Sequence, residues 1–305
     1  MADFDLIILG AGPAGLTAGI YAARGGLSVL TIESKAPGGQ TAQTSTVENF
    51  PGVPNANGFD LAYTMLNQAK SFGVKVKTGQ IDGITLDGEE KSVKLSNGKE
   101  FSSRAIIIAT GASPRLLGLD NERELTGAGI SYCATCDGMF FKGKTVAVVG
   151  GGNTAVEDAL YLEKLAGKVY LIHRRDALRA DKILADRIKS SGVEILWDSV
   201  VEKAFGGDKL AEIEVKNVKN GSLSRVLVDG LFVAVGQIPN TSFLQNADIK
   251  VDLTEGGYVV CDKEMQTNVR GVFVCGDVRE TPLRQIVTAC ADGAIAANSA
   301  IKYLQ

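Results

Sequence analysis

The feature that most constrains the fold of this chain is a strand, a glycine-rich turn, a helix and a second strand that follow one another directly. A predicted strand over residues 4–9 runs into the turn Gly10-Ala11-Gly12-Pro13-Ala14-Gly15, and the strand after the helix ends at Glu33. The first glycine suits a tight turn, the second lets backbone N–H groups reach a pyrophosphate, and the third lets the helix pack against the strand. With an acid placed to accept hydrogen bonds from a ribose diol, the pattern predicts a dinucleotide site at the helix N-terminus.

The same pattern occurs again 140 residues later. A predicted strand leads into the turn Gly150-Gly151-Gly152-Asn153-Thr154-Ala155, a helix follows, and the next strand ends at His173. His173 comes 23 residues after Gly150, which is the spacing between Gly10 and Glu33. The chain is therefore predicted to contain two dinucleotide-binding units, with His173 at the position that Glu33 has in the first.

Basic residues replace the carboxylate in the second unit. His173 is followed by Arg174 and Arg175, and Arg179 comes four residues further on. A carboxylate would repel a 2′-phosphate, whereas guanidinium groups pair with one bidentately. We infer that the first unit binds a dinucleotide with free ribose hydroxyls and that the second binds NADP(H). The alternative is an exposed helix start of mixed charge, because three aspartates interleave with the basic residues between 176 and 186.

The two units are predicted to be nested rather than consecutive. Strand-like apolar runs at 105–109 and 231–235 are each followed closely by a glycine, and a third such run at 271–277 comes after the second unit has closed. If the third run returns to complete the first unit, the second unit is an insertion in it. We therefore predict an α/β protein of two Rossmann-like, three-layer domains. The predicted first domain is discontinuous, over 1–113 and 242–305, and the predicted second domain covers 114–241.

A pair of cysteines precedes the second glycine turn. Cys133-Ala134-Thr135-Cys136-Asp137-Gly138 has the spacing of a small disulfide ring, and a helix that begins there would lower the thiol pKa and favour exchange chemistry. Asp137 is placed to exchange a proton with a thiolate. The alternatives are half of a zinc site, for which the other cysteines are too isolated, and two incidental buried thiols. No metal site is predicted.

Composition and charge exclude several classes of protein. The 305 residues carry a net charge of −3, which argues against a nucleic-acid partner, and no apolar stretch approaches the length of a membrane span. His173 is the only histidine, so a histidine-dependent triad or a multi-histidine metal site is excluded. We expect a strand from the first residues, which would leave no room for a signal sequence, and five cysteines are too few and too odd a number for a secreted disulfide framework. We expect a cytoplasmic protein.

Eight short motifs, spread along nearly the whole chain, resemble those of a known family. They are Gly10–Gly15, Gly38–Gln40, Val47–Gly52, Cys133–Gly138, Gly150–Ala155, His173–Arg175, Gly276-Asp277 and Arg284-Gln285. Together they resemble the low-molecular-weight bacterial thioredoxin reductases, and the cysteine hexapeptide inside the second domain is the most specific of them. The resemblance implies FAD in the first domain, NADPH in the second, thioredoxin as the protein substrate, and a homodimer.

The resemblance also implies roles for individual residues. Cys136 would face the flavin, Cys133 would attack the protein substrate, and Asp137 would supply a proton. The residues implied in FAD binding are Gly10, Gly12, Pro13, Ala14, Gly15, Glu33, Gly39, Gln40, Asn49, Ala109, Thr110, Gly111, Gly276, Asp277, Arg284, Gln285 and Ile286. Those implied in NADPH binding are Gly150, Gly152, Asn153, Thr154, Ala155, His173, Arg174, Arg175 and Arg179.

The predicted electron path runs from NADPH through FAD to the Cys133–Cys136 disulfide and then to thioredoxin. The nicotinamide and the disulfide would both belong to the second domain and both need one flavin in the first, so we expect two domain orientations to alternate. Two other functions stay open on the sequence alone. One is an NADPH-dependent flavoprotein that reduces a peroxiredoxin-type protein or a ferredoxin, and the other is a non-catalytic dinucleotide redox sensor.

Overall fold

The structure is a computed structural model that describes residues 2–44, 46–54 and 56–305. The chain divides into two compact units, one formed by 1–113 with 238–305 and the other by 114–237. The helices and strands follow in chain order. Before the second unit they are β1 (Phe4–Leu9), α1 (Pro13–Arg24), β2 (Val29–Glu33), α2 (Gly58–Ser71), β3 (Lys75–Thr78), β4 (Ile81–Thr85), β5 (Lys91–Leu95), β6 (Glu100–Ile108) and β7 (Ala112–Pro114).

The remaining elements lie in the second unit, at its end and in the returning segment. They are α3 (Glu122–Leu125), β8 (Ile130–Ser131), α4 (Ala134–Asp137), β9 (Thr145–Gly150), α5 (Asn153–Glu163), β10 (Lys168–Ile172), α6 (Lys182–Lys189), β11 (Glu194–Leu196), β12 (Ser199–Gly206), β13 (Leu210–Asn217), β14 (Leu223–Leu227), β15 (Gly230–Ala234), β16 (Gln237–Pro239), β17 (Val272–Val274) and α7 (Ile286–Leu304).

The first unit is built on a seven-stranded sheet in the order β3-β2-β1-β6-β5-β4, with β17 paired to β6. Leu6 and Ile8 of β1 belong to one core cluster and Ile7 and Leu9 to another, so both faces of the strand are buried. This explains why β1 is a continuous apolar run rather than an alternating one. Helices α1 and α7 pack together within the first of these clusters, in which three alanines of α1 and four of α7 are buried: Ala14, Ala18, Ala22, Ala289, Ala296, Ala297 and Ala300.

The return of the chain to the first unit is seen directly in strand pairing. β17 lies parallel to β6, with Phe273 opposite Ile107. The predicted α/β class, with one dinucleotide-type unit inserted in the other, is therefore confirmed. The sequence predicts a second domain that extends to residue 241, whereas 238–241 group with the first unit. Hydrogen bonds explain this difference, since Asn240 Nδ2 donates to the Thr110 carbonyl at 2.8 Å and Thr241 Oγ1 donates to the Gly257 carbonyl at 3.0 Å.

The second unit has a parallel sheet in the order β11-β10-β9-β15-β8 and an antiparallel sheet of β12, β13 and β14. Val146 and Val148 of β9 pack in the cluster formed with α5. Ala147 and Val149, on the opposite face, pack in a cluster that contains residues of β12 and β13. The unit therefore has three layers, with helices on one face of the parallel sheet and the antiparallel sheet on the other. Among the described residues no helix combines the length and apolar character needed to cross a bilayer.

A buried carboxylate organises the start of the second unit. Glu122 is 1% exposed and accepts hydrogen bonds from the backbone N–H groups of Leu117, Gly118 and Leu119 at 2.7–3.1 Å. The Tyr132 hydroxyl donates to the same carboxylate at 2.7 Å. These four hydrogen bonds offset the cost of removing the Glu122 carboxylate from water. They also tie the loop at 117–119 to the residue that precedes Cys133.

We predict that Glu122→Gln lowers the free energy of unfolding by about 2–4 kcal/mol, because the amide NH₂ would face donors and leave buried N–H groups unpaired. Glu124→Gln, an exposed change in the same helix, should have almost no effect. Urea unfolding followed by fluorescence of Trp197, the single tryptophan, reports on this unit. Equal stability of the two variants would contradict the role given to Glu122.

Candidate active site

The glycine turn of the first unit combines positions required by packing with one that is open. Gly10 has a φ of 109°, and a Cβ there would collide with the Ala109 carbonyl oxygen at the end of β6. A Cβ on Gly15 would collide with the Gly10 carbonyl oxygen. At Gly12 a Cβ would meet nothing closer than Gly39 Cα at 3.9 Å. The fold therefore needs glycine at 10 and 15, while the bare backbone at 12 leaves room beside the N-terminus of α1.

Glu33 closes this turn from the end of β2. Its Oε2 accepts a hydrogen bond from the Ala11 N–H at 2.8 Å, and its Oε1 accepts one from the Lys35 N–H at 3.0 Å. The first helical residue is Pro13, and Gly12, the residue before it, makes no side-chain cap. The leading N–H groups of α1 thus have no side-chain acceptor at the helix cap, which is the arrangement that accepts a diphosphate.

Several other residues predicted to bind FAD lie close to this turn or to one another. Gly276, with a φ of 74°, lies so near Ala14 that a Cβ would be 2.8 Å from the Ala14 methyl. Asn49 Nδ2 donates to Gln285 Oε1 at 2.9 Å although the two are 236 residues apart. Gln40 Nε2 donates to the Ala112 carbonyl at 2.5 Å. Ala109, Thr110 and Gly111 follow the end of β6, and Ile286 begins α7.

Two charged side chains of the first unit, Asp277 and Arg284, are removed from much of the solvent. Burial raises the pKa of the Asp277 carboxyl to about 6, opposed by the positive charge of Arg284, and no hydrogen bond from the described residues offsets the cost. Arg284 lies over the Tyr258 ring at 4.8 Å, and its Nε is buried with no hydrogen-bond partner. A polyol hydroxyl could donate to the Asp277 carboxyl group and accept from the Arg284 guanidinium, and a phosphate oxygen could accept from Arg284 alone. The residues present therefore fit a flavin dinucleotide.

The second glycine turn repeats the geometry of the first. A Cβ on Gly150 would lie 2.5 Å from the Ala234 carbonyl oxygen at the end of β15, as one on Gly10 would meet Ala109. It would also lie 2.5 Å from the Ala155 methyl, at the position that Gly15 has in the first turn. A Cβ on Gly152 would meet nothing within 4 Å, so this turn also leaves room beside a helix N-terminus.

His173 and Glu33 stand at matching positions but act differently. The His173 ring is 4% exposed, lies against Gly151, and has its Nε2 3.0 Å from the Ala177 carbonyl oxygen. Where Glu33 holds the first turn by a hydrogen bond, His173 fills the space that a side chain at Gly151 would need. His173 therefore shapes the second turn, and its neighbours Arg174 and Arg175 are exposed.

The aspartates that interleave with the basic residues have other partners. Asp176 pairs with Lys219 Nζ at 3.1 Å. Asp181 accepts from Asn153 Nδ2 at 2.8 Å and donates its N–H to Asn153 Oδ1 at 2.8 Å. In the described part of the chain no ion pair involves the side chains of Arg174, Arg175 or Arg179. These three guanidinium groups stand before α6 rather than in it and are available to an anion, while the Asn153 side chain is engaged within the protein.

The two cysteines of the hexapeptide form a disulfide, with a sulfur–sulfur distance of 2.09 Å. The helix expected at this point is the single turn α4, which passes into a 3₁₀ turn over Gly138–Phe141. Thr135 Oγ1 lies 3.4 Å from Cys133 Sγ. The disulfide predicted between Cys133 and Cys136 is thus confirmed. The helix that follows Cys133 is too short for its dipole to lower the thiol pKa as the sequence predicts.

Asp137 lies directly after the disulfide and is held by Ser131. Its carboxylate accepts from Ser131 Oγ at 2.6 Å, and its N–H donates to the Cys133 carbonyl at 3.1 Å. Burial raises the pKa of the Asp137 carboxyl, and the hydrogen bond from Ser131 acts in the lowering direction. Ser131 was not among the predicted site residues. The available signal was a serine two residues before a redox cysteine, a spacing at which a hydroxyl can bond to the backbone.

The other three cysteines carry free thiols. Cys275 is fully buried in the core of the first unit, and Cys261 and Cys290 are partly buried against that core. Burial raises the pKa of all three thiols, which leaves them protonated and poorly reactive. They pack in or against the core of the first unit. Across residues 2–44, 46–54 and 56–305 no group of three or more potential ligands is placed to hold a metal ion.

Two dinucleotide-type units, one of which carries a disulfide beside a partly buried carboxyl group, define a nucleotide-dependent disulfide oxidoreductase. Residues 4–293 match the family described as pyridine nucleotide-disulphide oxidoreductase. The chain belongs to this family, which implies that it binds a flavin and a nicotinamide dinucleotide.

Known proteins similar over the full length support the same assignment. The thioredoxin reductase of Listeria innocua is 47% identical over 99% of this chain and 94% of its own length. That of Bacillus subtilis is 43% identical, over 99% of this chain and 95% of its own. The crystal structure of thioredoxin reductase from Streptococcus pyogenes has a TM-score of 0.92 at 42% identity, covering 99% of this chain and 98% of that one.

We predict that Gly12→Ala lowers flavin retention without unfolding the protein. The position has ordinary extended backbone and room for a methyl group, so only the approach of a ligand to the backbone is obstructed. Gly10→Ala should instead destabilise the first unit, because of the collision with Ala109. The measurements are the flavin-to-protein absorbance ratio after gel filtration and the melting temperature. Full flavin retention in Gly12→Ala would contradict this account of the turn.

We predict that the double replacement Arg174→Ala and Arg175→Ala raises the KM for NADPH by about 10- to 100-fold, as expected for loss of one to two charge-assisted hydrogen bonds. The KM for NADH should change little, because NADH has no 2′-phosphate. Arg187→Ala, an exposed arginine in the last turn of α6, is the matched control and should leave both constants unchanged. Equal effects of the double replacement on both nucleotides would mean that the arginines form only a solvated surface.

Proposed function

We propose that this protein is a thioredoxin-disulfide reductase in which electrons pass from NADPH through FAD and the Cys133–Cys136 disulfide to oxidised thioredoxin. The observation that carries the proposal is the disulfide itself, which lies in the unit with the basic dinucleotide turn and has Asp137 directly after it. The names of relatives at 43–47% identity over nearly the whole chain support thioredoxin as the substrate.

The cofactors would be held by backbone as much as by side chains. The first turn would bind the FAD pyrophosphate through Gly12 and the N-terminus of α1, with Glu33 at the ribose. Gln40, Asn49, Asp277 and Gln285 would hold the ribityl chain and ring. Ala109, Thr110, Gly111 and Arg284 are assigned to the same cofactor. When bound, the flavin and the nicotinamide supply the hydride and two-electron chemistry that amino-acid side chains lack.

NADPH would be held at the second turn. Gly152 and the N-terminus of α5 would receive its pyrophosphate, and Arg174, Arg175 and Arg179 would surround the 2′-phosphate. The availability of the three guanidinium groups supports this assignment over the mixed-charge alternative. Asn153 and His173 would contribute by shaping the turn, because their side chains are already engaged within the protein.

The chain's own chemistry would begin at the disulfide. Two electrons break the sulfur–sulfur bond and two protons complete the pair of thiols, one of them delivered by Asp137. The Cys133 thiol returns its proton to the Asp137 carboxylate, and the resulting thiolate attacks the disulfide of oxidised thioredoxin, which forms a mixed disulfide and releases one thioredoxin thiolate. Attack by Cys136 on Cys133 Sγ restores the original disulfide and releases the second thiolate, which takes up the proton that the Cys136 thiol gives up. Asp137 would protonate a departing thiolate, so two electrons enter and one dithiol leaves.

Homodimer formation and a cytoplasmic location are further parts of this proposal. The homodimer comes from the resemblance to the bacterial reductases, and the cytoplasmic location comes from the cysteine usage of the sequence. The proposal also assigns Cys133 rather than Cys136 to attack on the substrate, by the same resemblance.

We predict that Cys133→Ser abolishes NADPH-dependent reduction of thioredoxin while reduction of the bound flavin by NADPH persists. Serine cannot form the disulfide or act as the exchanging thiolate. Cys261→Ser, which removes a free, half-buried thiol of the first unit, is the matched control and should keep full activity. Stopped-flow absorbance of the flavin and insulin-coupled turnover measure the two steps separately. Normal turnover in Cys133→Ser with another redox protein would favour a ferredoxin-type reductase instead.

A further inference from the structure

Ser131 is fixed in place by the sheet of the second unit. It is the last residue of β8 and lies opposite Phe232 in the parallel pairing with β15. Its side chain is 5% exposed. A hydroxyl at this depth needs partners from the protein, because solvent reaches it poorly.

Both partners of the Ser131 hydroxyl belong to the redox segment. The hydroxyl donates to Asp137 Oδ2 at 2.6 Å and accepts the Cys133 N–H at 3.1 Å. The Ser131 hydroxyl oxygen therefore links the Asp137 carboxyl group to the backbone of Cys133, the cysteine assigned to attack the substrate. The hydrogen bond from the Asp137 N–H to the Cys133 carbonyl closes the same segment from the other side.

We propose that Ser131 is a positioning residue for disulfide exchange, whose hydroxyl holds the Asp137 carboxyl group and Cys133 in one arrangement. This inference rests on the proposed function and on the role of Asp137 in it. The sulfur chemistry stays as balanced above, since Ser131 gains and loses no proton overall. Ser131 donates its hydrogen bond to Asp137 Oδ2, and it acts on the reaction only through Asp137 and Cys133.

The surroundings of Asp137 make this hydroxyl matter. α4 packs against α5, whose titratable residues are Glu157, Asp158, Tyr161 and Glu163. None of them shifts the pKa of Asp137, on which burial and the Ser131 hydrogen bond are the acting influences. Once the disulfide opens, the thiols of Cys133 and Cys136 are the remaining titratable groups of the segment. Loss of the hydroxyl would therefore leave burial unopposed, and the pKa of Asp137 would rise.

The test compares Ser131→Ala with Ser191→Ala. Ser191 is a matched control in the same unit, since its hydroxyl also accepts the N–H of the second residue along, Val193, and donates to an acceptor, the Ile188 carbonyl. It lies outside the site. Enzyme reduced beforehand is mixed with oxidised thioredoxin over a range of pH, so that the nucleotide step does not contribute. Flavin retention and flavin reduction by NADPH check that each variant is folded.

We expect the rate in Ser131→Ala to fall about tenfold, a fraction of the effect of a complete general acid. A protonated Asp137 is the donor, so the rate falls as pH rises through its pKa, and this falling limb should move to higher pH in Ser131→Ala. Infrared titration of the Asp137 carboxyl in the oxidised enzyme should show the same upward shift without turnover. Ser191→Ala should leave the rate, the limb and the titration unchanged.

The variant Asp137→Asn distinguishes the proton role of Asp137 from the positioning role of Ser131. It should remove the limb, and adding Ser131→Ala to it should shift nothing further in the pH profile. One outcome is that Asp137→Asn loses the falling limb of the pH profile while Ser131→Ala shifts neither the limb nor the pKa in the infrared titration. In that case Ser131 has only a structural role and this inference is wrong. If Asp137→Asn reduces thioredoxin normally, the proton role in the proposed function fails first.

Discussion

The structure depends on a contact of backbone against backbone at the end of a central strand, made once in each unit. Gly10 approaches the Ala109 carbonyl and Gly150 approaches the Ala234 carbonyl so closely that no Cβ fits between them. The contact brings the end of the first strand of each unit against the end of its neighbour, where the following helix begins. No side chain caps the helix that begins after Gly12 or the one that begins after Gly152, so the first N–H groups of each helix have no side-chain acceptor there. Packing thus creates the two places where a pyrophosphate can bind.

The redox segment uses burial in a different way. Asp137 is a carboxyl group in a poorly solvated place, which favours its protonated form, and Ser131 limits how far that preference goes. Glu122 shows the contrasting case, because four hydrogen-bond donors surround its carboxylate and give it a purely structural role. The four donors suit Glu122 to holding the loop at 117–119 in place.

Local patterns in the sequence predicted the parts of the fold that local physics determines. The two glycine turns, the matching positions of Glu33 and His173, and the return of the chain through β17 were all readable from spacing. The antiparallel sheet of the second unit was not predicted, although apolar residues at 213 and 215 of β13 alternate with charged ones.

The side-chain partners were beyond prediction because they depend on how distant segments meet. Nothing local indicates that Asn153 is occupied by Asp181, that the His173 ring packs on Gly151, or that Ser131 meets Asp137. Each of these contacts requires the chain to turn back on itself, and only the folded unit fixes where it returns.

We propose that a flavin held in the first unit exchanges electrons with the Cys133–Cys136 disulfide of the second. An anaerobic titration of the flavin-loaded protein, followed by visible absorbance, tests it most directly. NADPH should bleach the flavin band, and oxidised thioredoxin added afterwards should restore it while thioredoxin dithiol appears in equal amount. A protein that binds no flavin when supplied with it, or a bleached flavin that oxidised thioredoxin leaves unchanged, would contradict the account.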